Sequence, residues 1–445
     1  MARKSPNHAL GALLTEAEWS AADLARAVNS LGTAHGLRLR YDRTAVAHWL
    51  NGSRPRPPVA ELVAQAFSRR IGRTLTPADT GLGEPGVPGD VLAALLDTGD
   101  PVRRLSALCR ADSDPTRRPL LAQAVFSTSP PAFPGWGTGP RTAPPAGSRR
   151  QATGEDVARL ETMALCCAAM GEKYGGAHGR SALALYLSED VARLLTSPAP
   201  PPVRRELFTG AGHLTLLLAG MTFDVGHPGL AQHYYAVALE LAHAAEDRAA
   251  YAITLRCMSV QAHRLRDHRQ AVALGEAALD VAGSAVPSAT RAFLHAGRAV
   301  VAAGVGQHGS AATHLLAAEK QLAQTCGPEG PFTSYPESAL RYQRAETLSL
   351  LGDHTGARAE LQSSLVGRPA DHNRARALLH ARLAHALLAT KEVEAAVQHC
   401  LHFLEHYERL ATGSAHGTLA RLLLELTPYR RNPKVRAFRE RLRET

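Results

Sequence analysis

Four short turns constrain this 445-residue chain more than anything else in it: GHPGLA (Gly226–Ala231), RDHRQA (Arg266–Ala271), GQHGSA (Gly306–Ala311) and GDHTGA (Gly352–Ala357). Their starts lie 40, 40 and 46 residues apart. Twelve residues before each closing Ala stands a small residue, Ala219, Ser259, Ala299 or Ala345; seven after it stand Ala238, Ala278, Ala318 and Ser364. Small side chains at those offsets let two antiparallel helices, and then the next pair, approach closely. A looser fifth unit fits Ala384 and Ala396, one residue out of register, and an earlier pair is expected from Ser181–Leu195 and Leu207–Leu218. Composition agrees: 45% of residues are hydrophobic but only 5% aromatic, with Ala, Leu and Arg dominant. Such a chain favours helix over sheet. The expected class is all-α: an N-terminal helical domain, a flexible linker and a C-terminal α-solenoid.

The pattern resembles the tetratricopeptide repeat, with its small residue in the first helix, its Gly-Asp-Tyr-like turn and its two Ala in the second helix. The spacing exceeds that family's usual ~34 residues, so helices or loops are longer here. A stack of helix pairs has a concave face suited to a peptide or a partner helix. Arg256, Gln261, Arg298, Arg341 and Arg344, on first helices, are the candidate groove residues; the bland alternative for each is a solvated outer face.

Three zones follow along the chain: 5–82, a compact helical domain; 83–154, a connecting segment; and 155–435, the repeats. Within the first, helix one is expected near His8–Glu18 with Leu10, Leu13, Leu14 and Ala17 inward. Ser20 and Asp23 form a start signal for helix two, whose Leu24, Ala25, Val28 and Leu31 keep helical spacing. Asp42 suits an N-cap, Gly52 a helix stop, and Val59–Ile71 a fourth helix. In the connecting zone, helical pieces are expected near Val91–Leu96 and Pro101–Arg110, then a Pro/Gly-rich linker over Ser127–Gly154 in which Trp136 reads as a lone exposed aromatic. Of the net charge of +10, residues 1–151 carry +7, which suits a polyanionic partner for that end.

The stretch RTAVAHWLNG, Arg43 to Gly52, has the layout of a major-groove reader. Val46, Trp49 and Leu50 form a buried face, and Arg43, Thr44 and Ala47 lie opposite with His48 at the border. Arg43 suits a guanine's O6 and N7, Thr44 a thymine methyl or a hydrogen bond, and Arg54 and Arg56 the flanking phosphates. The segment resembles the helix-turn-helix of the phage-repressor-like (XRE/Cro) family, whose reading helix ends in an Asn-Gly turn followed by basic residues and a Pro, here Asn51, Gly52, Arg54, Arg56 and Pro57. The resemblance covers roughly residues 7–72. It implies base contacts from Arg43, Thr44 and His48, and phosphate contacts from Arg38, Arg40, Asn51, Arg54 and Arg56. One departure is plain: Ser30–Tyr41 (SLGTAHGLRLRY) is about ten residues longer than the family's tight turn, enough to extend helix two or to form a basic wing. Head and repeats together are similar to actinobacterial regulators of sporulation and antibiotic production.

Other chemistry is weakly represented. QHCLHFLEHYE (Gln398–Glu408) spells His-x-x-Glu-His and puts His399, His402 and His406 along one helix face, but it falls where a second repeat helix is expected and no third-ligand motif follows. Phosphate-binding loops, nucleophile elbows and nucleophile–base pairs are absent. No catalytic residue, metal or cofactor is expected. The six cysteines form no CxxC pair and read as small buried hydrophobes in a reducing cytoplasm. No stretch reaches a membrane span, and the basic start lacks the apolar core of a leader. The reading is a cytoplasmic DNA-binding regulator. Its partners are double-stranded DNA, a second copy in a homodimer, and a peptide or protein at the repeats. The alternative is a repeat scaffold with a non-reading head.

Overall fold

The computed structural model describes residues 6–34, 39–55, 59–71, 75, 77, 79–82, 99–114, 117–118, 121, 124, 126, 136, 151–324, 334–410 and 412–444. Arg38, Arg56, the piece at Val91–Leu96 and most of the linker from Ser127 lie outside them. Helix is the regular structure of the described residues, and none of it is long and apolar enough to cross a membrane.

The repeat turns explain the architecture. At the first turn residue the backbone is left-handed: φ is +92° at Gly226, +61° at Arg266, +77° at Gly306 and +88° at Gly352. The next N–H then reaches back to a carbonyl of the last helical turn, as in His227 to Thr222 (3.1 Å), Asp267 to Ala262 (2.9 Å), Gln307 to Ala302 (2.9 Å) and Asp353 to Leu348 (2.9 Å). This closure ends one helix and turns the chain back on itself. Where that residue is Asp, its side chain also caps the following helix: Asp267 accepts from the Gln270 N–H at 3.1 Å and Asp353 from Gly356 at 2.8 Å.

Four hairpins result: α9 (Pro201–Asp224) with α10 (Pro228–Ala244), α11 (Arg248–Arg264) with α12 (His268–Ala282), α13 (Ser288–Gly304) with α14 (His308–Leu322), and α15 (Glu337–Leu350) with α16 (His354–Val366). A fifth joins α17 (Asn373–Ala389) to α18 (Val393–Tyr407). It is in full register, not one residue out. Lys391 takes the left-handed position at φ +66°, Glu392 N–H closes on Leu387 at 2.8 Å, and Ala384 keeps the offset to Ala396. Its turn lacks the Gly that marks three of the others, and Phe403 replaces the last small residue, which hid the register in the sequence. All the aligned small residues are at most 2% exposed, so every one lies in a helix–helix contact.

The earlier pair differs from expectation. Ser181–Leu195 falls in α7 (Arg180–Tyr186), a π turn (Leu187–Val191) and α8 (Ala192–Leu195), whereas Leu207–Leu218 belongs to α9 of the first repeat, on which α6 (Gly154–Tyr174) packs. The solenoid also curves back on itself: Arg374 of α17 lies 3.5 Å from Asp224 of α9 and 3.4 Å from Glu172 of α6, and Asn373 donates to the Lys173 carbonyl at 2.9 Å. At the far end α19 (Gly413–Glu425) and α20 (Pro433–Glu444) close the stack, with Val435 and Phe438 of α20 buried beside Cys400 and Phe403. The arginine-rich α20 thus carries an apolar seam.

The connecting zone contributes α5 (Pro101–Ser113), which packs into the repeat body. Asp112 of α5 holds Arg180 at 2.6 Å with both side chains buried, and accepts from the Tyr234 hydroxyl at 2.7 Å. Trp136 is not a free aromatic. Its ring meets Tyr251 edge-on at 5.5 Å, and the Arg248 guanidinium lies over it at 5.2 Å. An indole gains too much by burial to be left in water when a partner surface is close. Of the cysteines described, Cys109, Cys167 and Cys400 are buried, but Cys166 is exposed and Cys257 half-buried.

Candidate nucleic-acid interface

The head consists of α1 (His8–Glu16), α2 (Ala21–Ala34), α3 (Arg43–Leu50) and α4 (Val59–Ile71) around Leu10, Leu13, Leu24, Val28, Val46, Trp49, Val63 and Phe67. Ser20 and Asp23 cap α2 reciprocally: the Asp23 carboxylate accepts from the Ser20 N–H at 2.9 Å and hydroxyl at 2.6 Å, and the Ser20 hydroxyl accepts from the Asp23 N–H at 3.3 Å. These bonds hold the Asp23 carboxyl below its ordinary pKa, the Ser20 hydroxyl foremost.

Helix α3 is fixed at both ends. The Asp42 carboxylate accepts from the Ala45 N–H at 2.9 Å, which also lowers its pKa, and Gly52 ends the helix at φ +84°. Asn7 N–H bonds the Leu50 carbonyl at 2.7 Å, and its amide donates to Thr80 O at 2.9 Å, so the C-terminus of α3 is tied to the domain's start and end. Gly81 is required there: its φ is +66°, and a Cβ would collide with the Asn7 side chain. Val46 and Trp49 anchor the inner face.

The outer face carries the residues expected to read DNA. Arg43, Thr44, Ala47 and His48 are exposed together on α3, with Arg40 before it and Asn51 and Arg54 after it also exposed. None of Arg40, Arg43 and Arg54 has a carboxylate partner among the described residues. The expected phosphate contacts Arg38 and Arg56 lie outside the described residues.

The long α2–α3 connection is held by a residue that sequence reading passed over. The Asn29 amide donates to the Tyr41 carbonyl at 2.8 Å and its oxygen accepts from the Tyr41 N–H at 2.9 Å, pairing like a short strand. The Tyr41 ring meets Trp49 edge-on at 5.1 Å, and Leu39 fills the space left by Gly32. Helix two is extended to Ala34, and the chain enters α3 from a clamped position. An Asn one helical turn before a Gly was the only sequence signal. Between head and body, Arg69 of α4 donates to the Leu265 carbonyl at the turn of the second repeat, beside Asp267. Burial, partly offset by Asp267, lowers the Arg69 pKa to about 10.

The five expected groove residues separate. Gln261 is buried, its amide spent on the Pro228 carbonyl at 2.7 Å, so it belongs to the packing between repeats. Arg298 is buried too, reaching over Gly275 to Glu276 at 3.1 Å. Arg341 pairs with Glu337 (2.5 Å) and Glu360 (3.5 Å), and Arg344 with Glu319 (2.6 Å) and Glu360 (3.4 Å). Arg256 alone faces an aromatic ring, Phe293 at 3.9 Å, with no carboxylate partner among the described residues.

His399 and His402 gather with His406 around His380 of α17, at ring-centroid distances of 5.3, 5.1 and 5.9 Å respectively. Among the described residues no three His, Cys, Asp or Glu side chains are placed to hold a metal ion.

The segment 10–83 matches the family described as SP15 N-terminal domain, a span that takes in α2–α4 and most of α1. No curated protein matches the chain. A chain in the crystal structure of the APC/C hetero-tetramer Cut9-Hcn1 is similar at 14% identity over 89% of this chain and 69% of that one, with a TM-score of 0.35.

Proposed function

We propose that the protein is a DNA-binding transcriptional regulator in which α3 reads the major groove and the repeat body dimerises or receives a peptide or protein signal. One observation carries this reading: a capped, anchored helix presents Arg43, Thr44 and His48 outward, flanked by the exposed cations Arg40 and Arg54. A helix of this kind places its N-terminal side chains at base edges and its flanking arginines at phosphates. The phage-repressor-like resemblance supports the same assignment, and a two-fold pair of heads would read a palindrome.

Selection of genomic fragments at graded salt, followed by sequencing, tests the proposal. Specific retention far above random DNA is expected. Arg43→Ala should cost about 1–3 kcal/mol and relax the preference at one base. Arg54→Ala should weaken all sequences alike and flatten the salt dependence by about one unit. Absence of retention even at low salt assigns the head to protein docking and leaves function to the repeats.

A further inference from the structure

Half of the net charge of +10 sits at the end of the chain. Residues 429–445 hold seven Lys/Arg against two Asp/Glu, a net +5, whereas the body before them, 152–428, is slightly acidic at −2. The fold spends few of these cations on itself. Lys434 pairs with Glu394 at 2.7 Å, and the Arg439 guanidinium bonds the Leu423 carbonyl at 3.3 Å and the Thr427 hydroxyl at 3.4 Å, which fastens α20 to α18 and α19. Arg430, Arg431, Arg436 and Arg443 are exposed and have no carboxylate partner among the described residues. Arg430 and Arg431 border an open cleft with Leu424, Thr427 and Pro428. Arg436 and Arg443 share one flank of α20, about 10 Å apart along its axis. Arg439 stands between them on that flank and reaches α19, so all four arginines surround the corner where α19 meets α20. Glu394 stands in the first turn of α18, which puts this corner at the turn end of the fifth repeat. Arg69 of the head docks at the turn of the second, so head and arginines occupy the same edge of the solenoid.

Like charges gathered without counter-charge repel one another, and an extended polyanion relieves that repulsion. Guanidinium groups take phosphate oxygens through paired hydrogen bonds, whatever the base sequence. A protein partner fits less well: among the described residues Leu424 is the one large apolar side chain exposed beside the arginines, too little for the apolar centre of such an interface. A membrane surface fits less well again, because an interfacial helix needs its apolar side free, and Val435 and Phe438 of α20 are buried in the fold. We propose that Arg430, Arg431, Arg436 and Arg443 form a second, sequence-independent contact to the phosphate backbone of double-stranded DNA, apart from the helix that reads bases. The inference rests on the reading of the chain as a DNA-binding protein. It gives the far end of the repeat body a part in holding the duplex on which the head settles.

The test measures binding of the full chain to a labelled random-sequence duplex by fluorescence anisotropy over graded potassium chloride. Combining Arg430→Gln, Arg431→Gln, Arg436→Gln and Arg443→Gln should weaken binding about tenfold or more and flatten the salt dependence by about two to four units. The thermal midpoint should stay at the parent value, because none of the four side chains is buried or ion-paired among the described residues. A second combination, Arg103→Gln, Arg117→Gln, Arg159→Gln and Arg193→Gln, removes the same charge from exposed positions already paired with acids and should leave the slope unchanged. An unchanged slope in the first variant, or an equal loss in both, overturns the proposal. So does polyglutamate, or a phosphatidylserine vesicle, that binds through the same four arginines while the duplex does not. Arg43→Ala should relax base preference with the slope contribution of the C-terminal arginines intact, and the C-terminal variant should flatten the slope with base preference intact. Loss of selectivity alone therefore sinks the reading of α3, and an unaltered slope alone sinks the second contact.

Discussion

Asp112 shows how much can hang on one side chain. It is 1% exposed, holds Arg180 at 2.6 Å and accepts from Tyr234, while Arg180 also donates to Thr222 at 3.0 Å. The cluster fastens α5 to α7, α9 and α10. Removing the acid alone would leave a guanidinium buried and uncompensated, so Asp112→Ala should cost about 3–5 kcal/mol in chemical denaturation. Asn29 plays the corresponding part in the head. Losing its two bonds to Tyr41 should cost about 1–2 kcal/mol of head stability, and in the DNA assay Asn29→Ala should weaken specific binding more than random binding. Neither partnership is legible in a string of residues: Asp112 meets a residue 68 positions away, and Asn29 looks like any polar helical position.

At the scale of the element, the repeat turn is the unit that carries information. Its left-handed residue is Gly in three hairpins but Arg266 and Lys391 in the other two. A side chain in that conformation costs about 1–2 kcal/mol, partly offset by the entropy that Gly would lose. Lys391→Gly should therefore raise stability by about 1 kcal/mol, and Gly352→Val should lower it by at least as much, both read from urea midpoints. A second recurring position joins the residue four before the small residue to the one three after the closing Ala. It holds Leu255 and Leu274 in the second repeat, His295 and His314 (3.1 Å) in the third, Arg341 and Glu360 (3.5 Å) in the fourth, and His380 and His399 (3.0 Å) in the fifth. One geometric slot thus accepts apolar, imidazole or ion-pair chemistry, which is why its periodicity is invisible in residue type.

The imidazoles give the whole molecule a pH dependence. Burial lowers the pKa of His213 and His233 to about 4; burial, then His295 and Arg298, lowers His314 to about 4. Burial, then the neighbouring imidazoles of His399, His402 and His406, lowers His380 to about 3. Because the folded values lie below the unfolded one, the unfolded chain takes up protons first as pH falls. The contribution of these groups is complete above about pH 6.5 and is lost progressively toward about pH 4. Urea midpoints should fall as the pH is lowered from about 7.5, above that window, to about 5, within it. Replacing His295 and His314 with the Leu pair of the second repeat should flatten the fall. An unchanged slope in that double variant would show that the pair does not titrate with unfolding.

The sequence by itself determined what depends on near neighbours. The Asp42 cap, the Gly52 stop, the bounds Val59–Ile71 and the four repeat turns all rest on hydrogen bonds or steric limits within a few residues, and these follow from residue type. Tertiary structure decided the rest. It docked Trp136, drew α5 into the body, buried Gln261 and Arg298, and brought the start of α17 back onto α6 and α9. Each of these depends on which distant surface a side chain meets, and burial or pairing energy is set by that encounter rather than by local spacing. The same division runs through α3: its cap, stop and buried face are legible in Asp42–Gly52, whereas the Asn29–Tyr41 clamp that sets its entry forms only on folding.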